Sequence, residues 1–243
     1  MKIYGLVGKN IDYSFSRNYF NDKFKKSDIN CVYENFDLNS IDEFDMLFQT
    51  SNQISGLNVT IPYKETVLPH LDGLDSDAKR IGAVNTIKIQ NGKRIGFNTD
   101  HFGFTESLRP CLNIGHKKAL ILGTGGASKA VAFALSNLRI PFTFVSRSPR
   151  NNNAFSYKEL TVEHIKSHQI IINCTPLGTH PNTELCPPIP YDGLTKKHLV
   201  YDLIYNPSKT RFLNYGSKVG ATVLNGLKML ELQAEKSWKI WNT

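Results

Sequence analysis

One lysine and one aspartate stand out among the polar residues of the first hundred positions. Lys64 closes the run Asn58-Val59-Thr60-Ile61-Pro62-Tyr63-Lys64, and Asp100 closes the run Gly96-Phe97-Asn98-Thr99-Asp100. An ammonium beside a carboxylate can pass a proton to or from a reacting oxygen, which is general acid and base catalysis. The carboxylate favours the charged lysine and burial favours the neutral amine, so the two effects together suit a reversible reaction. The two runs therefore offer one ammonium and one carboxylate to a small polar ligand.

Neutral polar side chains accompany the pair along the chain. Asn58 and Thr60 end a predicted strand and face the same side of it, because side chains alternate along a strand. Asn85 lies in Ala83-Val84-Asn85-Thr86, and two serines stand at Ser14-Phe15-Ser16. Taken singly, these motifs fit turn chemistry or, for Ser16, a helix cap. Taken together, they predict a site for a small polyhydroxylated molecule.

A glycine-rich loop in the second half predicts a dinucleotide site. The run Gly123-Thr124-Gly125-Gly126-Ala127-Ser128 joins the apolar strand Lys118–Leu122 to the helical run Ala130–Leu138. Gly123 allows a sharp turn, and Gly125 allows backbone amides to approach a pyrophosphate. The helix that begins here offers free N–H groups and the positive end of its dipole to the anion. A tight turn that binds nothing is the alternative.

The residues after the next predicted strand favour NADP over NAD. NAD-specific sites place an Asp or Glu about 20 residues beyond the loop, where it binds the ribose 2′-hydroxyl. Here the run is Val145-Ser146-Arg147-Ser148-Pro149-Arg150, without a carboxylate. A guanidinium pairs with phosphate oxygens in forked geometry and stacks on adenine. Two surface arginines without a ligand are the alternative.

Composition and charge limit the classes of protein that remain. The chain has 243 residues, 40% hydrophobic and 21% charged, which is ordinary globular usage. Residues 1–100 carry 12 Lys and Arg against 13 Asp and Glu, whereas residues 101–243 carry 17 against 8. The positive half holds the glycine loop, which fits small anionic ligands, although a solvated basic surface or a nucleic-acid site also fits. The isolated pairs Lys117-Lys118 and Lys196-Lys197 lack the clustered arginines and stacking aromatics of a nucleic-acid face.

Other features favour a cytoplasmic protein without a membrane anchor. The sequence shows neither a signal-peptide pattern nor a run of about 18 apolar residues. The four cysteines lie far apart and form no C-x-x-C pair, which indicates free thiols rather than a metal or redox site. We expect no bound metal, no nucleic-acid partner, and a monomer or homodimer.

The periodicity of apolar residues predicts an α/β protein with two domains. Strands alternate with helical stretches in the first half, which favours a mainly parallel sheet, and Asn91-Gly92 predicts a type I′ hairpin. The apolar spacing of Gly226–Trp241 predicts a closing helix. We expect residues 1–100 to form one domain, completed by residues 226–243, and residues 101–225 to form a Rossmann-type domain. The predicted strands are Ile3–Val7, Cys31–Phe36, Ile54–Val59, Val84–Ile89, Arg94–Phe97, Lys118–Leu122, Phe142–Val145, Ile170–Asn173 and Leu199–Leu203, and two further helices are predicted around Arg17–Lys26 and Ile41–Phe48.

The order of these motifs resembles the shikimate dehydrogenase family from Ser14 to Gln233. The motifs are Ser-x-Ser, N-V-T-I-P-x-K, I-G-A-V-N-T, N-T-D, G-T-G-G-A-S, N-x-T-P-L-G, D-L-I-Y-N-P and G-L-x-M-L-x-x-Q-A. The resemblance implies NADPH-dependent reduction of 3-dehydroshikimate to shikimate on the route to chorismate and the aromatic amino acids. It also implies that the C-terminal helix packs back on the substrate domain.

The resemblance assigns roles residue by residue. The substrate carboxylate would be bound by Ser14 and Ser16, with Tyr205 beside it, and Lys64 and Asp100 would be the catalytic pair. The ring hydroxyls would be bound by Asn58, Thr60, Asn85, Asp100 and Gln233. The cofactor would be lined by Gly123, Gly125, Gly126, Ala127, Ser146, Arg147, Ser148, Arg150, Asn173, Thr175, Leu203 and Gly226.

The sequence departs from the family pattern at both ends of the expected ligands. Tyr13 and Arg17 replace a His and a Pro around the serine motif, and Arg150 follows Arg147 by three residues where the family has four. A quinate/shikimate dehydrogenase that prefers NAD, a non-catalytic relative that binds shikimate-like ligands or nucleotides, and a basic Rossmann module that binds RNA are the alternatives. Arg147, the two serines and the retained Lys64 favour the NADP-dependent enzyme.

Overall fold

The computed structural model describes residues 1–12, 14–50, 53–149 and 154–243, and its contacts divide into two units. Unit 1 comprises Met1–Thr99 and Ala234–Thr243, and unit 2 comprises Asp100–Gln233. This division places Asp100 in unit 2 and cuts the C-terminal helix at Ala234, whereas the sequence analysis drew the boundaries after residue 100 and at residue 226. Among the described helices, none combines the length and apolar character needed to cross a lipid bilayer.

Unit 1 is built on a mixed six-stranded sheet in the order β2-β1-β3-β5-β6-β4. The neighbours β1/β2, β1/β3 and β4/β6 run parallel, and β3/β5 and β5/β6 run antiparallel. Its strands are β1 (Lys2–Gly8), β2 (Cys31–Asp37), β3 (Ile54–Val59), β4 (Gly73–Leu74), β5 (Thr86–Gln90) and β6 (Lys93–Phe97).

A two-residue turn joins β5 to β6 and sets their register. Asn91 has φ 53° and Gly92 has φ 74°, so both central residues adopt the left-handed conformation of a type I′ turn. The pairing of Gln90 with Lys93 follows from that turn. The hairpin predicted from Asn91-Gly92 is therefore confirmed.

The helices of unit 1 cover its sheet. They are α1 (Phe15–Lys26), α2 (Leu47–Thr50) and α3 (Ser76–Ile81), with short 3-10 turns at Ile41–Met46 and Leu68–His70. The last helix of the chain, α8 (Leu227–Trp241), begins in unit 2 and contributes its residues from Ala234 onward to unit 1. Trp241 packs on Tyr4 and Phe20 and donates its indole N–H to the Ile87 carbonyl. Gly56 makes room for Trp241, because a Cβ there would lie 2.4 Å from the indole ring.

Unit 2 is a six-stranded parallel sheet in the order β12-β11-β10-β7-β8-β9. The three central strands are buried at every position and apolar except for Asn173 and Asp202, which end two of them, as is typical of parallel sheets. The strands are β7 (Ala119–Leu122), β8 (Phe142–Ser146), β9 (Ala154–Ser156), β10 (Ile170–Asn173), β11 (Leu199–Asp202) and β12 (Thr222–Leu224). The remaining helices are α4 (Asp100–Leu108), α5 (Gly126–Asn137), α6 (Val162–Ser167) and α7 (Arg211–Lys218), with 3-10 turns at Arg109–Cys111 and Tyr191–Gly193.

The α/β class, the parallel-rich sheets and the packing of the C-terminal helix on unit 1 are confirmed. The predicted apolar stripe on that helix consists of Leu227, Leu230, Ala234, Trp238 and Trp241, and its first member is wrong, since Leu227 is 39% exposed. The buried face of α8 carries Ala234 and Trp241 from that spacing, together with Met229 and the polar residues Gln233 and Ser237.

Candidate active site

The serine motif of unit 1 opens helix α1 without capping it. Ser14 stands at the N-cap position, but its side chain accepts no bond from the first turn of the helix. Its hydroxyl oxygen is buried and has no hydrogen-bond partner among the described residues. A buried hydroxyl without a partner costs about 1–3 kcal/mol, so a ligand group at this place would recover that loss. The prediction that Ser14 binds a ligand is consistent with this geometry, and the cap role considered for Ser16 falls away, because Ser16 lies inside the helix.

The side-chain amide of Asn58 is buried and held on all sides. Its Oδ1 accepts from the Tyr33 hydroxyl at 2.8 Å. Its Nδ2 faces the Asn85 carbonyl at 3.1 Å, the Thr86 hydroxyl at 3.2 Å and the Ser237 hydroxyl at 3.0 Å. An amide nitrogen carries two hydrogens, so the protein itself takes up both. Asn58 can therefore serve a ligand only through the acceptor capacity that remains on Oδ1.

Asn85 ties the end of the β3 segment to the end of β6. Its backbone carbonyl accepts from Val59 N at 2.9 Å, and its backbone N–H donates to Phe97 O at 3.1 Å. Its Oδ1 accepts from Thr99 N at 2.6 Å, while its Nδ2 donates to the Thr99 hydroxyl at 3.0 Å. The amide thus fixes the backbone immediately before Asp100.

Thr60 and Lys64 lie in the turn that follows β3. Thr60 N donates to Val7 O at 2.9 Å, which fixes the start of this turn on β1. The Lys64 carbonyl accepts from Val84 N at 2.7 Å, which fixes its backbone beside the segment that leads into Asn85. The Lys64 side chain is half-buried. Backbone hydrogen bonds therefore hold the predicted acid, Lys64, on the same part of unit 1 as Asn85.

Three predicted substrate residues belong to unit 2. Asp100 is buried and begins α4, Gln233 is buried on α8, and Tyr205 is half-buried in the segment after β11. Helices α4 and α8 touch closely, since a Cβ on Gly103 would lie 2.5 Å from Met229 O and 3.1 Å from Gln233 N. Gln233 Nε2 donates to Leu230 O at 2.9 Å. The pairing of Lys64 with Asp100 stays a prediction.

Two buried residues around Asn58 escaped the sequence analysis, namely Tyr33 and Ser237. Tyr33 lies in a strand of mixed polarity, Cys31–Asp37, and carries no motif. Ser237 lies three residues after Ala234 and four before Trp241, so it sits on the buried face of α8. A polar residue at a buried helical position was the available signal, because such a residue needs partners from another element.

The glycine loop of unit 2 has the shape predicted for an anion site. Gly123 has φ +105°, a conformation that L side chains rarely adopt. Gly125 is the N-cap of α5, and a Cβ built on it would meet nothing within 4 Å. Gly126 and Ala127 form the first turn of α5, whose N–H groups have no intrahelical acceptor. Ser128 is buried and donates to Gly125 O at 2.6 Å, so it closes the loop on the helix.

The segment after β8 carries the residues that would distinguish NADP from NAD. Ser146 ends the strand, and its Oγ accepts from Ser148 N at 3.3 Å. Arg147 is exposed between them. Arg150 lies outside the described residues. An exposed guanidinium with no acidic residue at the end of β8 fits a ribose 2′-phosphate.

A buried network joins the ends of β10 and β11. Asn173 Oδ1 accepts from Thr175 N at 2.9 Å and from the Thr175 hydroxyl at 2.6 Å. Asn173 Nδ2 donates to Asp202 Oδ1 at 3.0 Å, and Asp202 also accepts from Ile204 N at 3.1 Å and from the Thr210 hydroxyl at 2.6 Å. All three donors are uncharged, and burial raises the pKa of Asp202 to about 6. Asp202 begins the D-L-I-Y-N-P motif, and the sequence predicts no role for it.

Replacement of Asp202 by Asn changes how stability depends on pH. The folded pKa of about 6 lies above the unfolded value of roughly 3.9, so between these values the folded state holds a proton that the unfolded state has lost. The wild type therefore loses up to about 3 kcal/mol from this group as pH rises from about 4 to about 6. We expect D202N to become more stable relative to wild type over that interval, in urea unfolding at several pH values.

Asp72→Asn is the control for this prediction. Hydrogen bonding to Arg94 lowers the pKa of Asp72, so its replacement removes stabilisation that grows as pH rises. The D72N difference should therefore carry the opposite sign. A D202N difference that stays constant from pH 4 to pH 7 contradicts the assignment of a raised pKa to Asp202.

Leu203 and Gly226 meet at the junction between β11 and α8. Gly226 N donates to Ile204 O at 3.0 Å, and Gly226 O accepts from Leu230 N at 2.9 Å in the first turn of α8. A Cβ on Gly226 would lie 1.9 Å from Leu203 O, which only glycine avoids. These two predicted cofactor residues are therefore brought into direct backbone contact.

The acidic, histidine and cysteine side chains of the described residues offer neither a metal site nor a reactive thiol at Cys174. Within the described part of the chain, no three His, Cys, Asp or Glu side chains form a group that could hold a metal ion. Burial raises the pKa of the Cys174 thiol beside this network, which disfavours its reactive thiolate form.

Comparisons with known proteins match the whole chain. A family model described as the shikimate dehydrogenase substrate binding domain matches residues 6–87. A shikimate dehydrogenase (NADP(+)) of Methanococcus maripaludis is 41% identical over 255 residues, which cover 99% of this chain and 91% of the relative. Shikimate 5-dehydrogenase from Thermus thermophilus, solved in complex with NADP(H) and shikimate, has a TM-score of 0.89 at 30% identity and covers 99% and 93% of the two chains.

A solved structure with another activity in its title is also similar. The ligand-free form of 5-ketofructose reductase from Gluconobacter has a TM-score of 0.83 at 30% identity, covering 99% of this chain and 92% of that one. Fold similarity at this level therefore spans more than one carbonyl substrate, and the substrate has to be argued from the site.

Proposed function

This chain belongs to the shikimate dehydrogenase family, and we propose that it catalyses the reversible, NADPH-dependent reduction of 3-dehydroshikimate to shikimate. The motif resemblance from Ser14 to Gln233 is confirmed by relatives about 40% identical over nearly the whole chain. The chain is an NADP-dependent oxidoreductase of this family. The reaction belongs to chorismate and aromatic amino acid biosynthesis.

The buried hydroxyl of Ser14 is the observation that best supports a carboxylate-bearing substrate. Hydroxyl groups donate strong hydrogen bonds to carboxylates, and Ser14 has no other partner among the described residues. Ser16, one residue inside α1, would be the second donor. Tyr205 of unit 2 would lie beside the same carboxylate. Arg17 is turned elsewhere, because its guanidinium donates to Asp12 O at 3.1 Å.

The ring hydroxyls would be bound by uncharged amides and hydroxyls of unit 1. Asn58, with both amide hydrogens taken up by the protein, would accept a hydrogen bond from the substrate. Thr60 and Asn85 would add further polar contacts, and Asp100 and Gln233 of unit 2 would complete the set. Such an arrangement binds a polyhydroxylated ring more tightly than an apolar one, because an apolar ring would leave these buried polar groups without hydrogen bonds.

Unit 2 would hold the cofactor. The pyrophosphate would bind at Gly123, Gly125, Gly126 and Ala127, with open space over Gly125, and the 2′-phosphate at Arg147 with Ser146 and Ser148. Arg150 would add a second cation. Asn173, Thr175, Leu203 and Gly226 would line the remaining surface, with Asp202 accepting from Asn173 and Asn173 accepting from Thr175. When bound, NADPH supplies the hydride that reduces the ketone carbon.

Lys64 would supply the proton. A ketone that gains a hydride becomes an alkoxide, and the Lys64 ammonium donates a proton to that oxygen and is left as a neutral amine. In the oxidation direction the neutral amine takes the proton back. Before the transfer, the ammonium polarises the carbonyl. Asp100 would be the second member of the catalytic pair and bind a substrate hydroxyl.

Three alternatives remain distinct from this proposal. A quinate/shikimate dehydrogenase with NAD needs room for the extra hydroxyl of quinate near Ser14 and Ser16 and an acidic residue in place of Arg147. A sensor without catalysis has no use for Lys64. A reductase for another carbonyl, such as that of the similar Gluconobacter structure, need not bind a carboxylate.

One spectrophotometric assay tests the proposed function. We expect NADPH absorbance to fall with 3-dehydroshikimate, with much slower loss of NADH, and little oxidation of quinate. Turnover with 5-ketofructose and none with 3-dehydroshikimate would overturn the proposed substrate, and equal rates with NADH would overturn the proposed cofactor preference. A location in the cytoplasm, no nucleic-acid or membrane partner, and a monomeric or homodimeric state stay predictions.

A further inference from the structure

We propose that Tyr33 is a positioning residue for the substrate, because its phenol fixes the orientation of the Asn58 amide. The inference rests on the proposed function, since it concerns how that substrate is read. Tyr33 belongs to no motif of the sequence, and its hydroxyl reaches Asn58 from strand β2, the neighbour of β1 on the side away from β3.

Tyr33 is itself held rigidly. Its side chain is only 1% exposed and stacks on Phe20, with ring centroids 4.7 Å apart and planes at 13°. The Asn21 side chain binds both backbone groups of Tyr33, accepting from its N–H at 2.9 Å and donating to its carbonyl at 2.9 Å. These contacts restrain both the ring and the backbone of Tyr33, so its hydroxyl has a fixed position.

The polarity of the Tyr33–Asn58 bond follows from the other side of the amide. The Asn85 carbonyl can only accept, so the Asn58 group that faces it must be the NH₂ group. The Asn58 oxygen then faces Tyr33, and the phenol must donate to it. A flipped amide would place two carbonyl oxygens 3.1 Å apart and is excluded.

Asn58 can therefore act toward the substrate only as a hydrogen-bond acceptor. Its two hydrogens are shared among Asn85, Thr86 and Ser237, and one of its acceptor directions is taken by Tyr33. The remaining acceptor direction on Oδ1 is therefore set by Tyr33. Without the phenol, the amide oxygen would lose its fixed donor and could tilt away from the orientation that receives a ring hydroxyl.

A second contact links the same phenol to the serine motif. Burial raises the pKa of Tyr33, and hydrogen bonding with the side chain of Ser16 opposes that rise. One buried hydroxyl thus touches Ser16, proposed for the carboxylate, and Asn58, proposed for the ring. The inference concerns the Asn58 contact, through which Tyr33 orients the amide.

Tyr33→Phe tests the inference, since it removes the hydroxyl and keeps the stacked ring. We expect the Kd of shikimate, measured by calorimetry without cofactor, to rise about five- to tenfold, the effect of one hydrogen bond. The Kd of NADPH should stay unchanged. Tyr191→Phe is the matched control, because it removes a phenol that donates to the Pro187 carbonyl at 2.6 Å in unit 2, and it should leave shikimate binding unchanged.

A double-mutant cycle separates positioning from a direct contact. If Tyr33 acts through Asn58, the pair Tyr33→Phe with Asn58→Ala binds shikimate no more weakly than Asn58→Ala alone. Additive losses, or an unchanged Kd in Tyr33→Phe, overturn the inference. Should Tyr33→Phe fail to fold, Asn21→Ala removes the side chain that holds both backbone groups of Tyr33, and it must weaken shikimate binding with the same non-additivity. Failure of the wild type itself to bind shikimate would instead refute the proposed function.

Discussion

Lys64→Ala is expected to lower kcat by about 10²–10⁴-fold, the contribution of a positioned proton donor. The KM for NADPH should not change, because the proposed cofactor residues all belong to unit 2, whereas Lys64 belongs to unit 1. The KM for 3-dehydroshikimate should change much less than kcat, since the carboxylate and ring contacts remain. Steady-state kinetics in both directions provide the measurement.

Chemical rescue makes this prediction sharper. A small primary amine in the assay can occupy the space left by the lysine and donate the missing proton, so it should restore part of the rate in Lys64→Ala. Lys79→Ala is the matched control, because Lys79 is an exposed lysine of α3 in the same unit and should have no effect. A Lys64→Ala enzyme with wild-type kcat and only weaker substrate binding would remove Lys64 from the acid role.

The strands and the hairpin were predictable because their signals are local. Runs such as Ile170–Asn173 are apolar up to their last residue, and they are buried on both faces of a parallel sheet. Asn91-Gly92 prefers left-handed backbone wherever it occurs, and the flanking strands follow it. The short strands Ala154–Ser156 and Thr222–Leu224 were missed, since three partly exposed residues at the sheet edges carry no periodic pattern.

The site residues divide in the same way. Asn58, Asn85 and the glycine loop stand at strand ends, where open α/β sheets place their ligands, so sequence order alone predicts them as site residues. Tyr33 and Ser237 meet Asn58 from positions 25 and 179 residues away in the chain. Their partnership depends on packing between distant elements, which no local spacing encodes. Asp202 likewise binds Asn173, which lies 29 residues away, so its own motif predicts no structural role for it.

Gly226→Ala is expected to lower both the stability of the protein and its affinity for NADPH. An added Cβ would lie 1.9 Å from Leu203 O and 2.5 Å from Leu203 C, and both are backbone atoms that cannot rotate away. Leu203 N is bound to Asn173 O at 3.0 Å, so relief requires movement of the segment after β11 or of the first turn of α8. We expect a loss of roughly 3 kcal/mol in stability and at least about a hundredfold weaker NADPH binding.

Gly125→Ala is the matched comparison, because it adds the same methyl group without a steric clash like the one between Gly226→Ala and Leu203 O. Gly125 has φ −82° and nothing within 4 Å of a built Cβ, so alanine there strains neither the backbone nor the packing. Stability should therefore stay within about 0.5 kcal/mol of wild type. NADPH binding should still weaken, because the new methyl group occupies the space over the amides at the start of α5. Urea unfolding and fluorescence titration with NADPH measure the two effects separately. Equal stability in the two variants would mean that the Leu203–Gly226 contact relaxes freely, and then it could not hold the cofactor surface in shape.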